Sequence, residues 1–268
     1  MKYFILNRSD ELSIQLSEKV HHLCEEHGMK VDRENPDIVL SIGGDGTMLH
    51  AFHSYLKNIE HIAFVGIHTG HLGFYADWNP NEIESLISIM SASQSSLQQH
   101  IVKYPIAEIE IETLTSKKTY YALNEMTLKG VDATLVAELH INDHLFETFR
   151  GDGICISTPS GSTAYNKSLS GAIVHPSMPS IQIAEMSSIN NRIFRTLGSS
   201  MVLPQHHHCD IYPRADQHLK ITIDHMQMEI EQLVNIRCSV SEKQVRFARF
   251  RPFPFWNRVK EAFIGDVQ

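Results

Sequence analysis

The stretch Asp37-Ile38-Val39-Leu40-Ser41-Ile42-Gly43-Gly44-Asp45-Gly46-Thr47 decides the fold. Its first half is a β-branched apolar run that stops at glycine, the pattern of a strand buried on both faces of a parallel sheet. Its second half places three glycines around an acid, and Thr47 to Leu56 then reads as a helix. Strand, glycine loop, helix is the unit from which open α/β sheets are built. Gly43, Gly44 and Gly46 let the backbone take φ > 0 and approach a bulky anion. The free N–H groups of the following helix, Thr47 among them, favour that anion. The carboxyl end of a parallel strand is also where such sheets bind ligands. The plainer reading is a tight turn with a solvated aspartate, but a turn needs one or two glycines, not three around an acid. The loop has neither the Gly-Lys-Ser/Thr of a Walker A motif nor the Gly-x-Gly-x-x-Gly dinucleotide spacing.

The same pattern extends outward from this loop. Tyr3–Leu6 and Ile62–Ile67 read as further buried strands. Asp10–Glu26 carries Leu12, Leu16, Val20 and Leu23 at helical spacing. Asn79-Pro80-Asn81-Glu82 opens another helix, with a cap residue followed by proline. Residues 1–98 are therefore expected to form an α/β domain with an open, mostly parallel sheet. A Ser/Gln-rich connection follows at Met90–His100. Beyond it short alternating strands take over: Ala107–Thr113, Tyr120–Lys129, Thr134–Ile141, His144–Arg150, Cys209–Tyr212, Leu219–Ile223, Met226–Ile230, Asn235–Val240 and Gln244–Phe250. In the first, Glu108, Glu110 and Glu112 share a face that reads as solvated. Asn142-Asp143 is a hairpin-turn signal without the usual glycine. Residues 99–250 are expected to form a mostly antiparallel, β-sandwich-like domain. Residues 251–268 are expected to be a tail that packs on the core or an interface.

Composition narrows the function classes. The chain has 268 residues and a net charge of −8, and 42% of its residues are hydrophobic. That is enough to build a real core, and a broadly acidic surface argues against nucleic acid as a partner. No apolar run approaches the ~20 residues of a membrane helix. The N-terminus reads as a strand rather than a secretory leader. Cys24, Cys155, Cys209 and Cys238 form no Cys-x-x-Cys pair, and they read as reduced thiols of a cytosolic protein.

Asp45 in a phosphate loop needs a reason, since a carboxylate repels phosphate. It could hold a divalent metal, or it could accept a hydroxyl proton during phosphoryl transfer, as kinase aspartates do. A second block, Thr158-Pro159-Ser160-Gly161-Ser162-Thr163-Ala164-Tyr165-Asn166-Lys167-Ser168, offers many short donors and acceptors and one aromatic ring. A plain polar linker is the competing reading. Asn124-Glu125 sits inside a strand-like segment, where inward polar groups are costly unless they bind something, though a solvated strand face would also explain it. Asp152, between Gly151 and Gly153, is either a site acid or a turn residue.

Gly-Gly-Asp-Gly-Thr, Asn-Glu and Thr-Pro-Ser-Gly-Ser-Thr-Ala-Tyr, in this order and at these separations, resemble the NAD kinase family over essentially the whole chain. His68-Thr69-Gly70-His71-Leu72-Gly73-Phe74 resembles the family's loop after its third strand. The resemblance implies transfer of the γ-phosphate of ATP, or polyphosphate, to the adenosine ribose 2′-hydroxyl of NAD, with a divalent ion, Mg²⁺, accompanying ATP and no resident metal. It implies NAD in a cleft between the two domains. It makes Asp45 the proton acceptor and sets Gly46 against the nucleotide. Asn124 and Glu125 would hold the adenosine and Phe74 would pack on the adenine. Ser160, Thr163, Ala164, Tyr165, Asn166, Lys167 and Ser168 would line the same pocket, and Asp152 would bind the nicotinamide end with Arg150. It further implies a homo-oligomer, a homotetramer, in which Ser187 and Ile189 complete a neighbour's site.

The sequence departs from the family pattern at Ser168–Ile173, at Ser187–Arg192 and at Asp224-His225, which stands where many members have Asp-Gly. These departures resemble a Gram-positive bacterial subgroup. Competing functions are another kinase with the same glycine motif, such as a lipid kinase, and a catalytically silent NAD-binding regulator. His68 and His71 read equally as ligand contacts or as hydrogen-bonded loop residues. Adjacent His206, His207 and His208 cannot easily converge on one ion from a strand.

Overall fold

The computed structural model describes residues 1–70 and 72–265. In chain order the elements are β1 (Lys2–Asn7), α1 (Glu11–Glu26), β2 (Lys30–Val31), β3 (Ile38–Ile42), α2 (Asp45–Ser54), β4 (Ala63–Ile67), α3 (Ile83–Ala92), β5 (Ile101–Thr113), β6 (Lys117–Ala122), β7 (Glu125–Gly130), β8 (Leu135–Ile141) and β9 (His144–Gly151). They continue with β10 (Gly153–Ser157), α4 (Tyr165–Ser168), β11 (Ser180–Met186), β12 (Met201–Pro204), β13 (His208–Pro213), β14 (Leu219–Ile223), β15 (Met226–Ile230), β16 (Leu233–Ala248) and α5 (Phe255–Phe263).

Two compact units result, Met1–Lys103 with Gln244–Gln268, and Tyr104–Lys243. The chain passes from one to the other inside β5 and returns inside β16. The sequence reading had two strands over 235–250, separated near Ser241. No glycine or proline interrupts Leu233–Ala248, so one strand runs through, and the second unit ends at Lys243 rather than at residue 250.

The first unit is the expected open α/β layer. Strands β2, β1, β3, β4 and the end of β16 lie side by side, all parallel, with Phe247 opposite Phe64. Both β3 and β4 are buried along their whole length, as strands covered on both faces must be. Helix α1 is capped by Asp10, which accepts from the Ser13 N–H. It buries Ser13, Leu16, Val20 and Cys24, a face turned slightly from the predicted one, and leaves Leu12 exposed. Asn79 and Glu82 form a reciprocal capping box ahead of α3. One core joins α1, α3, the strands and Phe250.

The second unit is the expected antiparallel sandwich. One sheet runs β6-β5-β16-β13-β8-β9 and the other β12-β11-β10-β7-β14-β15. Their inner faces share a single core that includes Ile109, Leu139, Ile211 and Ile236 from the first sheet and Met126, Ile156, Ile183 and Ile221 from the second. Along β5 Ala107, Ile109 and Ile111 are buried while Glu108, Glu110 and Glu112 remain half-exposed, as period two requires. At the β8–β9 hairpin Asn142 and Asp143 both take positive φ, 49° and 65°. That is a type I′ geometry made without glycine, which these two residue types tolerate.

One expected strand is broken. Tyr120–Lys129 splits into β6 and β7 around Leu123-Asn124. The N–H groups of Leu123, Asn124 and Glu125 turn to the carboxylate of Asp224, at 2.9, 2.8 and 3.2 Å. Asn124-Glu125 is therefore a strand junction.

Candidate active site

Two groups of predicted residues are built, one in each unit. The first starts at the carboxyl end of β3. Gly43 has φ 153°, and a Cβ there would run into Thr47 Oγ1. Helix α2 begins at Asp45, two residues earlier than expected, with Gly44 as N-cap. Asp45 thus occupies the first turn, where a negative charge is favoured. Its carboxylate is held from outside the helix: Oδ2 accepts the Phe74 N–H at 2.9 Å and Oδ1 the Tyr75 N–H at 3.1 Å. Gly73 is required by this arrangement, because a Cβ at 73 would collide with the Asp45 carboxylate. Gly44 and Gly46 differ in kind. Both are exposed, and a Cβ on either would meet nothing within 4 Å. The fold has no steric need for glycine at these two positions, so the free space in front of the backbone there is available to a ligand.

Phe74 is half-buried. Its ring lies against Phe263 (5.7 Å, near-parallel) and Phe255 (6.2 Å, tilted), both on α5. Leu72, Gly73 and Phe74 line a cavity of about 350 Å³ together with Arg258, Glu261 and Ala262. His68 is a loop histidine whose Nδ1 pairs with the Gly70 carbonyl at 2.9 Å. His71 lies outside the described residues.

The second group is organised by β7 and β10, which pair from Glu125↔Ser157 to Lys129↔Gly153. At the first end, Thr158 reaches across the junction: its N–H donates to Asn124 O and its hydroxyl to Leu123 O at 2.6 Å. Gly161 donates back to Thr158 Oγ1, and any Cβ on it would strike the Asn124 carbonyl. The small-residue block is therefore no loose linker. It packs against Asn124-Glu125 and continues into α4, where Tyr165 turns its hydroxyl to Lys129 Nζ at 2.9 Å. Thr163 Oγ1 donates to Ser160 O, and Ala164, Lys167 and Ser168 line the turns on either side of Tyr165. Ser160 Oγ and both amide atoms of the fully buried Asn166 have no hydrogen-bond partner among the described residues. Buried polar groups left so are uncommon.

Glu125 is the most perturbed acid here. Burial, and then the negative charge of Asp224, push its pKa up to about 8, opposed by the backbone N–H of Tyr165. Its Oε2 is shielded from solvent and has no hydrogen-bond partner among the described residues.

At the other end of the ladder, roughly 13 Å away at ~3.3 Å per residue, stand Arg150 and Asp152. Asp152 is exposed, and its N–H donates to Met186 O at 2.8 Å. A Cβ on Gly151 or Gly153 would strike neighbouring strands. Arg150 Nε donates to Thr134 Oγ1 at 3.2 Å, and its guanidinium lies 5.3 Å from the Phe194 ring. The exposed Ser187 takes φ 48°, and the Ile189 N–H donates to Arg150 O at 2.7 Å. Four of the predicted positions thus meet here, while Tyr165, 4.0 Å from Met186 Sδ, reaches toward them from the other end.

Sequence reasoning missed Asp224. It sits at positive φ in the β14–β15 turn, 99 to 101 positions from the N–H groups it binds. The only local signal was an Asp at a hairpin turn. Of the histidine run, His208 alone joins a group with metal-ligand geometry, alongside Asp143 and Asp210. Arg237 already binds both of those carboxylates.

Family models describe what these residues belong to. The ATP-NAD kinase N-terminal domain matches residues 5–95, and the ATP-NAD kinase C-terminal domain matches residues 123–250. The chain belongs to the NAD kinase family. It is 52% identical to NAD kinase 1 of Halalkalibacterium halodurans over 99% of this chain and 100% of that protein. It is 50% identical to NAD kinase 1 of Bacillus subtilis over 99% of each. It is accordingly a phosphotransferase, an NAD kinase. The fold is shared with yeast NADH kinase complexed with NADH (TM-score 0.82, 17% identity, 100% of this chain and 88% of that one). It is shared as well with an Archaeoglobus fulgidus NAD kinase in complex with ATP (TM-score 0.75, 17% identity, 94% of each). No helix among the described residues is long and apolar enough to cross a membrane.

Proposed function

We propose that this NAD kinase uses Asp45 as the acceptor for the proton of the adenosine ribose 2′-hydroxyl as the γ-phosphate of ATP is transferred to it. The observation that carries this reading is the Asp45 carboxylate, fixed by the Phe74 and Tyr75 N–H groups at the mouth of the glycine loop. Each oxygen gives one lone pair to a backbone donor and keeps another for the substrate hydroxyl. A carboxylate held in this way points the nucleophile and takes its proton late, and orientation is most of what phosphoryl transfer asks of a protein.

The amides of Gly44 and Gly46 bind phosphate oxygens, aided by the N-terminus of α2, while Gly43 and Thr47, whose N–H groups already donate to Ile67 O and Gly44 O, shape the loop. Asn124 and Glu125 hold the adenosine part, and Glu125 gives up its proton when donors from the ligand reach its oxygens. Phe74 packs on the adenine, and Ser160, Thr163, Ala164, Tyr165, Asn166, Lys167 and Ser168 line the pocket. Asp152 and Arg150 take the nicotinamide end. Ser187 and Ile189 serve a neighbouring subunit's site in a homotetramer. Mg²⁺ enters with the phosphates of ATP: the one carboxylate of the loop, Asp45, is already engaged by two backbone donors, which suits an ion carried by the substrate rather than a resident one. Four buried free thiols suit a cytoplasmic location.

The test is NADP formation from NAD with ATP and Mg²⁺, and in parallel with polyphosphate. Turnover with ATP is expected, falling about 10²–10⁴-fold in Asp45→Asn while NAD binding stays within a few-fold. Near-normal turnover in that variant overturns the role given to Asp45.

A further inference from the structure

The loop that holds Asp45 is itself held from the other end of the chain. Arg258, on α5, is 9% exposed. Its Nη1 donates to Gly73 O at 2.8 Å and to Ala76 O at 2.9 Å, and its Nη2 donates to Asp77 Oδ1 at 2.7 Å. Arg249 takes the other oxygen of Asp77. The ring of Phe253 lies within 4.0 Å of the Arg249 guanidinium and 4.6 Å of that of Arg258. Along Gly73–Ala76 the roles then divide. The carbonyls at the two ends of the turn go to Arg258, and the N–H groups of Phe74 and Tyr75 go to Asp45. Phe263 and Phe255 fix the Phe74 ring from the same helix.

We propose that Arg258 is a positioning residue for phosphoryl transfer: from α5 it fixes the backbone of Gly73–Ala76, and that backbone aims the Asp45 carboxylate. The inference rests on the reading of Asp45 as proton acceptor. It uses a property particular to arginine. A planar fork meets three acceptors at set angles, whereas a lysine ammonium is a single point on a flexible stem. Displacements of the order of 1 Å at a catalytic group cost rate steeply, so a loosened turn is expected to show in kcat and not in substrate binding.

The experiment compares Arg258→Lys in the full chain with the same substitution in an Asp45→Asn background, alongside melting temperatures. Expected is a kcat loss of roughly 10- to 100-fold, with KM for NAD and for ATP within about threefold and, in the Asp45→Asn background, no further loss beyond about twofold. Phe263→Ala keeps the test open if Arg258→Lys does not fold, since that ring is 38% exposed. Its expected loss is about threefold in kcat, and it too should vanish in the Asp45→Asn background. An unchanged kcat in folded Arg258→Lys, or the same fold loss in both backgrounds, overturns the proposal. An Asp45→Asn enzyme that turns over normally removes the reading beneath it. An inactive Asp45→Asn enzyme together with a fully active Arg258→Lys enzyme removes the proposal alone.

Discussion

Asp45 presents both carboxylate oxygens to backbone N–H groups, whereas Glu125 is half-buried, with one shielded oxygen unpartnered among the described residues and another acid, Asp224, beside it. The two residues have nearly the same chemistry and opposite surroundings. Burial, and then the like charge of Asp224, favour the neutral form of Glu125. Asp224 explains part of the contrast, because it takes the three N–H groups of Leu123, Asn124 and Glu125 for itself. One unit of the protein thus holds its acid by two backbone donors, and the other shields one oxygen of its acid from every donor among the described residues.

The sharpest way to break this contrast is Gly73→Ala. The added methyl group occupies the space of the Asp45 carboxylate, and turnover is expected to fall about 10- to 100-fold in steady-state assays, with KM for NAD less affected. A milder break is Asp224→Ala, which leaves three N–H groups of the β6–β7 junction without their acceptor. It should cost roughly 1–3 kcal/mol of stability in urea titrations and raise KM for NAD more than it lowers kcat.

Glu125→Gln sharpens the contrast instead. With a folded pKa of about 8, above the ordinary value of 4.5, the native state binds a proton that the unfolded chain has released. The stability from Glu125 is therefore complete below about pH 4.5 and is lost as pH rises through about 8. The glutamine variant should show a flatter decline in stability across that window, by about 1–3 kcal/mol. Calorimetry in buffers of different ionisation enthalpy should also show proton release on NAD binding in the parent and none in the variant.

Much of the fold was legible because burial writes itself into residue spacing. The β-branched apolar run before Gly43, the period of two along Ala107–Thr113 and the cap at Asn79 each predict one local structure, and each is found. The glycine loop was legible for the same reason, since its chemistry lies in adjacent residues. What spacing does not carry is where backbone N–H groups find their acceptors. Tyr120–Lys129 reads as one strand, and only a carboxylate a hundred positions away breaks it. Arg258 stands in the expected tail with no local signal of a role, yet it is buried against carbonyls 182 and 185 positions earlier. Likewise the face of α1 is turned from the expected one because Ser13 and Cys24, small and weakly polar, are buried while Leu12 stays exposed and Leu23 is partly covered.

The double passage of the chain, out through β5 and back through β16, has a consequence for the order in which the protein is made. Residues 104–243 form a continuous unit whose strands all leave the ribosome before residue 244 does. The first unit begins earlier but waits for its last strand and for α5. Domains fold as units during synthesis, so the second unit is free to close first. The glycine loop then stands ready on a parallel sheet that still lacks β16, and the buried arginines that grip Asp77 arrive only after the whole of the second unit.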